Sequence, residues 1–551
     1  MAAPAPPAQH RSPSPKPPDN TEEPRMGKNS STVPAYLWDR DPELDDALHN
    51  YDPKRDGTLT SFTCFSGRGW MNMFALSILI VGLILLFTSY PIILFYRSHI
   101  LRIAGWNLGG INGTGQVPDL PNMPTLIDKD TPEDVRKRTG WDGEKYRLVF
   151  SDEFNRDGRT FWPGDDPFWE APDLHYWPTG NIEWYNPAAV TTEDGKLVIT
   201  MEEMEIHGLN FRSGMIASWN KFCFTTGYIE VSISLPGSAD AAGFWPAAWT
   251  LGNLGRAGFG ASTEGTWPYS YDSCDIGTFP NQSNPDLTPA GAVNGGNGGG
   301  PLSFLPGQKL SACTCPGSDH PGPTVSTGRG APEIDILEAE IDVERWVGRS
   351  SQSLQLAPYN FRYTYNNETP ATTVHDHSTT HLNEYTGGPY QQAVSALTDI
   401  GTEPYGGDVY SPYAYEYWAD PKKREDGYIT WFTDGKPTWT VTSDSLVGDP
   451  YTTISSRIIP EEPMYMILNF GMAPSFQRQD WSRLKFPAKM YVDYVRVYQR
   501  EGTYEVSCSP ATHPTAEYIE EHMNAYSNPN YTTWAQAGYG FPRNERYEGC
   551  S

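Results

Sequence analysis

The sequence predicts an all-β protein: an antiparallel β-sandwich that follows a single membrane-spanning helix and a disordered N-terminal tail. Three observations lead there. Short strand-like runs bounded by turn residues recur from residue 146 onward, with little helical periodicity outside the span. The run 71–96 contains no charged residue. Residues 1–70 are rich in Pro, Ser and charge, with too little apolar surface to offset the entropy of ordering.

As a helix, 71–96 reaches about 39 Å at 1.5 Å per residue, more than the roughly 30 Å hydrocarbon core of a bilayer. It lies too far from residue 1 for an ordinary cleaved signal peptide. Lys54, Arg55 and Arg68 precede it and Arg97 and Arg102 follow it, a slight positive-inside bias. Asn112, Asn281, Asn367 and Asn530 open Asn-x-Ser/Thr sequons beyond the span, against Asn29 before it. Six of the seven cysteines (Cys223, Cys274, Cys313, Cys315, Cys508, Cys550) also follow it, an even number that suits disulfides in an oxidising compartment. The reading is a single-pass type II protein of the secretory pathway (endoplasmic reticulum, Golgi or plasma membrane). Its tail is cytosolic, membrane lipid contacts 71–96, and the rest is luminal or extracellular. Cys64 reads as an inert thiol, with palmitoylation as the alternative.

Residues 97–140 read as a stem, 141–500 as the β-domain with an inserted loop region at 255–330, and 501–551 as a Cys-containing tail. A net charge of -27 excludes a nucleic-acid partner. Aromatic residues at 13 %, with abundant Gly and Pro, suit a loop-rich β-protein that stacks rings on sugars or buries them.

The most informative stretch is PEIDILEAEID at 332–342, where apolar and acidic residues alternate as in a half-buried strand. The pair Ile336 and Leu337 breaks the alternation as a β-bulge does, which lets Glu333, Asp335, Glu338, Glu340 and Asp342 share one face. Like charges so placed raise one another's pKa, and an ionised and a protonated carboxyl side by side are what glycosidic cleavage needs. Across the bulge, Glu333 and Glu338 lie roughly 13 Å apart at Cα, near enough to lean to the carboxyl separation of about 5–5.5 Å of a retaining mechanism. A solvated acidic edge strand and a calcium site are the alternatives.

The pattern EIDILE also resembles the bulged active-site signature of glycoside hydrolase family 16. The resemblance covers roughly 146–499, through FSDEF at 150–154, NIEWY at 181–185, FWPAAWTLG at 244–252, TDG at 433–435 and YVDYVRVY at 491–498. With the membrane span and Cys-containing tail, the whole resembles the fungal β-glucan (β-1,6-glucan) synthesis-associated membrane branch. The resemblance implies a concanavalin-like jelly-roll of two curved sheets with the acidic strand in a concave cleft. It implies Glu333 as nucleophile, Glu338 as acid/base, and Asp335 between them holding Glu333 and tuning the pair. β-Glucan or its precursor oligosaccharides would be the substrates, with no cofactor and no resident metal, alongside the wall-synthesis machinery. A non-catalytic glucan-binding or scaffold role is the alternative function.

Departures from the family pattern count against efficient hydrolysis, though not against sugar binding. The Gly-, Pro- and Asn-rich stretch 253–331 replaces a short connection and reads as a disulfide-pinned surface loop able to roof the cleft. SLQLA at 353–357 stands where many hydrolases carry a His, and Tyr228 where an Arg is common. Trp184, Trp219, Trp245 and Trp249 are candidates for ring stacking, with core packing the alternative for each, and Asn181 for a sugar hydroxyl. His375, Asp376, His377 and His381 have zinc-like spacing but no apolar framing. A Cys508–Cys550 disulfide would fold the tail back on the domain.

Overall fold

The computed structural model describes residues 67–90, 92 and 125–551. Of the tail expected at 1–70, residues 1–66 lie outside them, with Cys64, as do 91 and 93–124, with Arg97, Arg102 and Asn112; residues 67–70 belong to the first helix. In the N-terminal part, an α-helix over Gly67–Ile84 continues as a π-helix over Leu85–Ser89. Gly69–Ser89 is the stretch long and apolar enough to cross a membrane, about 31 Å at the α-helical rise. Its side chains are exposed all round, Phe87 at 70 % among them, as a lipid-facing helix requires and a core helix does not.

The rest of the described chain is a jelly-roll β-sandwich of one thirteen-stranded and one eight-stranded sheet. The strands of the eight-stranded sheet are β1 (Met215–Ala217), β2 (Trp245–Gly252), β3 (Glu333–Asp342), β4 (Val347–Leu356), β5 (Thr380–Leu382), β6 (Gln391–Gly401) and β7 (Met464–Gly471). They lie in the order β5-β6-β4-β3-β2-β7-β1, with the short strand Gly387–Gly388 added on β6. Their inward residues, such as Ile334, Ile336, Leu354, Val394 and Met466, meet Ile229, Val231, Trp431 and Val495 of the thirteen-stranded sheet in one continuous apolar core. That interlock of two period-two faces is what alternating sequences produce when both sheets have one wet side.

The sandwich begins before residue 141, where the stem was expected to end. Lys137–Thr139 pairs with Lys145–Asp152, and the Thr131 hydroxyl donates to Glu153 at 2.8 Å. The inserted region is a packed lobe instead of the expected surface loop: Leu254, Phe259, Tyr269, Tyr271, Phe279, Leu302 and Leu310 are buried. The C-terminal tail carries two short helices, Ala516–Glu521 and Met523–Ser527, whose Tyr518, Ile519 and Tyr526 pack with Leu254, Ala261 and Leu310 of the insert. The expected Cys508–Cys550 disulfide is not formed; the bonds are Cys223–Cys508, Cys274–Cys313 and Cys315–Cys550. The two ends of the tail pack on different parts of the fold: Cys508 lies beside Cys223 of the sandwich, and Cys550 beside Cys315 of the insert. Sequon residues Asn281, Asn367 and Asn530 are exposed.

Candidate active site

The bulge falls where the alternation breaks. Against β4, Asp335 pairs with Ser353 and Glu338 with Ser351, so three steps along β3 match two along β4. Against β2, the register shifts between Ala248 and Trp249. One extra residue therefore turns Ile336 and Leu337 both into the core and leaves Glu333, Asp335, Glu338 and Glu340 on the outward face. Asp342 keeps the same parity but lies past the cleft, where its carboxylate accepts the amides of Glu344 and Arg345.

These carboxylates line the floor of a cleft of about 810 Å³ that crosses the sheet. Each is held by a specific donor. Trp245 Nε1 donates to Glu338 at 3.0 Å, and its ring stacks on Phe476 at 4.2 Å. Trp267 Nε1, from the insert, donates to Glu333 at 2.7 Å. Gln355 Nε2 donates to Asp335 at 3.1 Å, and the Asp335 carbonyl accepts from buried Trp431 at 2.8 Å. Arg349 pairs with Glu340 at 2.7 Å on the cleft wall. Gly252 makes the insert's return possible, since a Cβ there would sit 2.7 Å from the Pro332 ring.

Burial pushes the carboxyls of Glu333, Asp335 and Glu338 all upward. Mutual repulsion adds to this for Glu333 and Asp335, while the donors from Trp267, Gln355 and Trp245 pull each back in part. Glu333 and Glu338 keep some solvent-accessible surface, yet the cleft walls surround them, so the trio carries fewer than three charges near neutrality. The Tyr176 hydroxyl beside them is also pushed up, by burial and then by Glu333, and stays a neutral donor.

The consequence for stability has a definite sign. A carboxyl with a raised folded-state pKa keeps a proton that the unfolded chain releases above about pH 4, so it lowers stability as pH rises through that window. Asp335→Asn, which mimics the protonated form, is expected to raise the thermal midpoint by about 2 °C or more at pH 8 and to leave it unchanged near pH 4. Thermal unfolding followed at both pH values checks this.

The other expected site residues divide. Trp249 lines the cleft and donates to Asn469 at 2.7 Å. Asn181 lines it too, but its amide is engaged internally, donating to Glu183 at 2.6 Å and to the Tyr185 hydroxyl at 3.1 Å. Trp184 does not reach the cleft: alternation on its short strand turns it outward, where it donates to Asp173 and packs on His207. Trp219 packs on Tyr526 and Arg256 beside the insert. His375 bonds Thr440 and packs against Trp141, apart from the exposed His377 and His381. Among the described residues, the side chains that converge as a metal-binding trio would are Asp319, Glu521 and His522. Sequence reasoning missed Trp267, Tyr176, Gln355 and Asn469. Only Gln355 had a local signal, since it sits in the SLQLA run singled out for lacking a His.

Fold and site together define a jelly-roll β-sandwich protein with a carboxylate-floored cleft and, among the described residues, one helix long and apolar enough to span a membrane. The chain belongs to the beta-glucan synthesis-associated protein SKN1/KRE6/Sbg1 family, whose sequence pattern matches residues 35–550. It is 43 % identical over 531 residues to beta-glucan synthesis-associated protein KRE6 of Saccharomyces cerevisiae, covering 94 % of this chain and 70 % of that protein. It is 33 % identical over 158 residues to endo-1,3-1,4-beta-glycanase EglC of Rhizobium meliloti, covering 24 % of this chain and 30 % of that one. Among solved structures it is similar to SCLam, a non-specific endo-beta-1,3(4)-glucanase from family GH16, at 19 % identity and a TM-score of 0.35, covering 65 % of this chain and 92 % of that one.

Proposed function

We propose that the chain is a membrane-anchored retaining β-glucan glycosidase or transglycosylase acting in wall β-glucan synthesis, with β-1,6-linked glucan as its material. The observation that carries this is the bulged strand, which sets Glu333 and Glu338 on one cleft floor, each fixed by a single indole N–H. In the first step Glu338 gives its proton to the glycosidic oxygen, which leaves with the bonding pair, while a Glu333 oxygen attacks the anomeric carbon and forms a glycosyl ester. In the second, Glu338 takes the proton of water or of a sugar hydroxyl, whose oxygen displaces Glu333. Asp335 keeps its place through Gln355 and holds the middle of the trio neutral.

Trp267 is a positioning residue in this scheme. Loss of its N–H in Trp267→Phe removes the donor that lowers Glu333, so the nucleophile ionises at higher pH. Activity is expected to fall roughly tenfold or more, as for a hydrogen bond to a charged group, with the largest loss on the acid limb of the pH profile. A loss equal at every pH would contradict that role.

The arrangement of cysteines and sequons supports a luminal or extracellular sandwich with the N-terminal tail, 1–70, cytosolic. A second reading, a glucan-binding scaffold for wall synthesis, is favoured by the insert's intrusion on Glu333 and by the run SLQLA at 353–357, which holds no His. Mass spectrometry of products from β-1,3- and β-1,6-linked gluco-oligosaccharides separates the two. Shorter or longer products from the native protein and none from Glu333→Gln support catalysis, and binding without any product supports the scaffold.

A further inference from the structure

Three exposed aromatic side chains stand at the β6 side of the cleft, Tyr385 and Tyr390 in its lining and Phe304 beside Tyr390. Phe304 is 52 % exposed although Leu302 and Leu305, its close neighbours in the insert, are 0 % and 7 % exposed. Its amide donates to the Pro389 carbonyl at 2.8 Å, so the insert grips the tip of the hairpin formed by Gly387–Gly388 and β6. That grip presents Tyr390, 64 % exposed, with its ring centroid 5.9 Å from that of Phe304. Tyr385, 57 % exposed, stands on the loop before the hairpin, its amide held by the Asn383 side chain at 3.0 Å. Tyr385 and Tyr390 both line the cleft.

The rings are continuous with the reacting groups. Gln391 Nε2 donates to Gln355 at 3.3 Å, and Gln355 donates to Asp335, so a hydrogen-bonded row runs from the floor to the residue beside Tyr390. The distance is two strand spacings, β3 to β4 to β6, or about 10 Å, farther than one hexose reaches. Phe304 and Tyr390, held outward side by side, form the kind of exposed apolar patch that marks a binding surface, and Tyr385 adds a further exposed ring to the cleft lining. A pyranose ring offers such a patch its flat C–H face while its hydroxyls stay in water.

We propose that Phe304, Tyr385 and Tyr390 form an outer subsite that stacks glucose units of a β-linked chain extending from the carboxylates across β6. The cleft then favours long glucans over short oligosaccharides. This rests on the glucan reading of the cleft for its substrate class, not on catalysis.

The test uses the full-length protein in detergent micelles, carrying Glu338→Gln to stop turnover. Calorimetry compares β-1,3- and β-1,6-linked glucose oligomers of two and of eight units. The eight-unit oligomer of one linkage is expected to bind roughly three- to tenfold tighter than the two-unit one. Phe304→Ala, Tyr385→Ala and Tyr390→Ala, each at an unchanged melting temperature, should erase that ratio and spare the short oligomer. An unchanged ratio, an equal loss for both lengths, or no binding of either overturns the subsite. Turnover by the protein with native Glu338 but no length preference sinks the subsite alone; length preference without turnover sinks the catalytic reading alone.

Discussion

Glu338→Gln is expected to lower turnover of gluco-oligosaccharides by about 10²–10⁴-fold, the usual contribution of a general acid, and to leave their binding within a few-fold. The amide keeps an oxygen for Trp245 Nε1, so the stacked Trp245–Phe476 wall stays in place. What is lost is the transferable proton. An aryl glucoside whose leaving group departs without protonation should therefore react with this variant at close to the native rate in the first step. The glycosyl-enzyme then persists, because no base remains to activate the acceptor, and azide, which needs no base, should release it. Glu333→Gln removes the nucleophile and is expected to show neither recovery. Steady-state and burst kinetics on the two variants distinguish the roles, and recovery of Glu333→Gln by the aryl substrate would reverse the assignment.

Arg329→Met is expected to cost about 3–5 kcal/mol of stability, the penalty for removing one partner of a buried ion pair. Arg329 has no exposed side-chain surface and forks onto Glu462 at 2.7 and 2.8 Å. Its remaining nitrogen donates to the carbonyls of Gly322 and Pro514, and Glu462 also accepts the Gly330 amide. One guanidinium thereby ties the end of the insert, the approach to β7 and the C-terminal tail, four residues before Glu333. The Arg329 charge holds the Glu462 carboxyl below its usual range against the opposing effect of burial. Removing Arg329 leaves that carboxylate buried and uncompensated. Denaturant unfolding measures the loss, and Arg329→Met with Glu462→Leu together should recover part of it.

The acidic strand was legible because its chemistry and its geometry are both local. Two apolar residues in succession, Ile336 and Leu337, announce the bulge, and the bulge decides which carboxylates share a face. The same holds for Trp245 and Trp249, which alternate on the next strand. Trp184 looked equivalent in composition, but alternation on its three-residue strand turns it away, and nothing in its neighbours says so. The insert was the least legible part. Gly, Pro and Asn suppress any period in its sequence, yet its isolated aromatic and aliphatic residues find a tail more than two hundred positions away. Packing of this kind set the partner of Cys550, which bonds Cys315 of the insert. It also brought Trp267 onto Glu333, where no local pattern connects the two.

The most direct test of the account is to trap the covalent intermediate on Glu333. The full-length protein would be incubated with a β-glucosyl oligosaccharide donor carrying fluorine beside the anomeric carbon, which slows release of the ester, and then digested and sequenced by mass spectrometry. One glycosyl adduct is expected, on the peptide containing Glu333, lost in Glu333→Gln and displaced from the native protein by an acceptor sugar. Bound donor with no adduct, or an adduct on another residue, would contradict it.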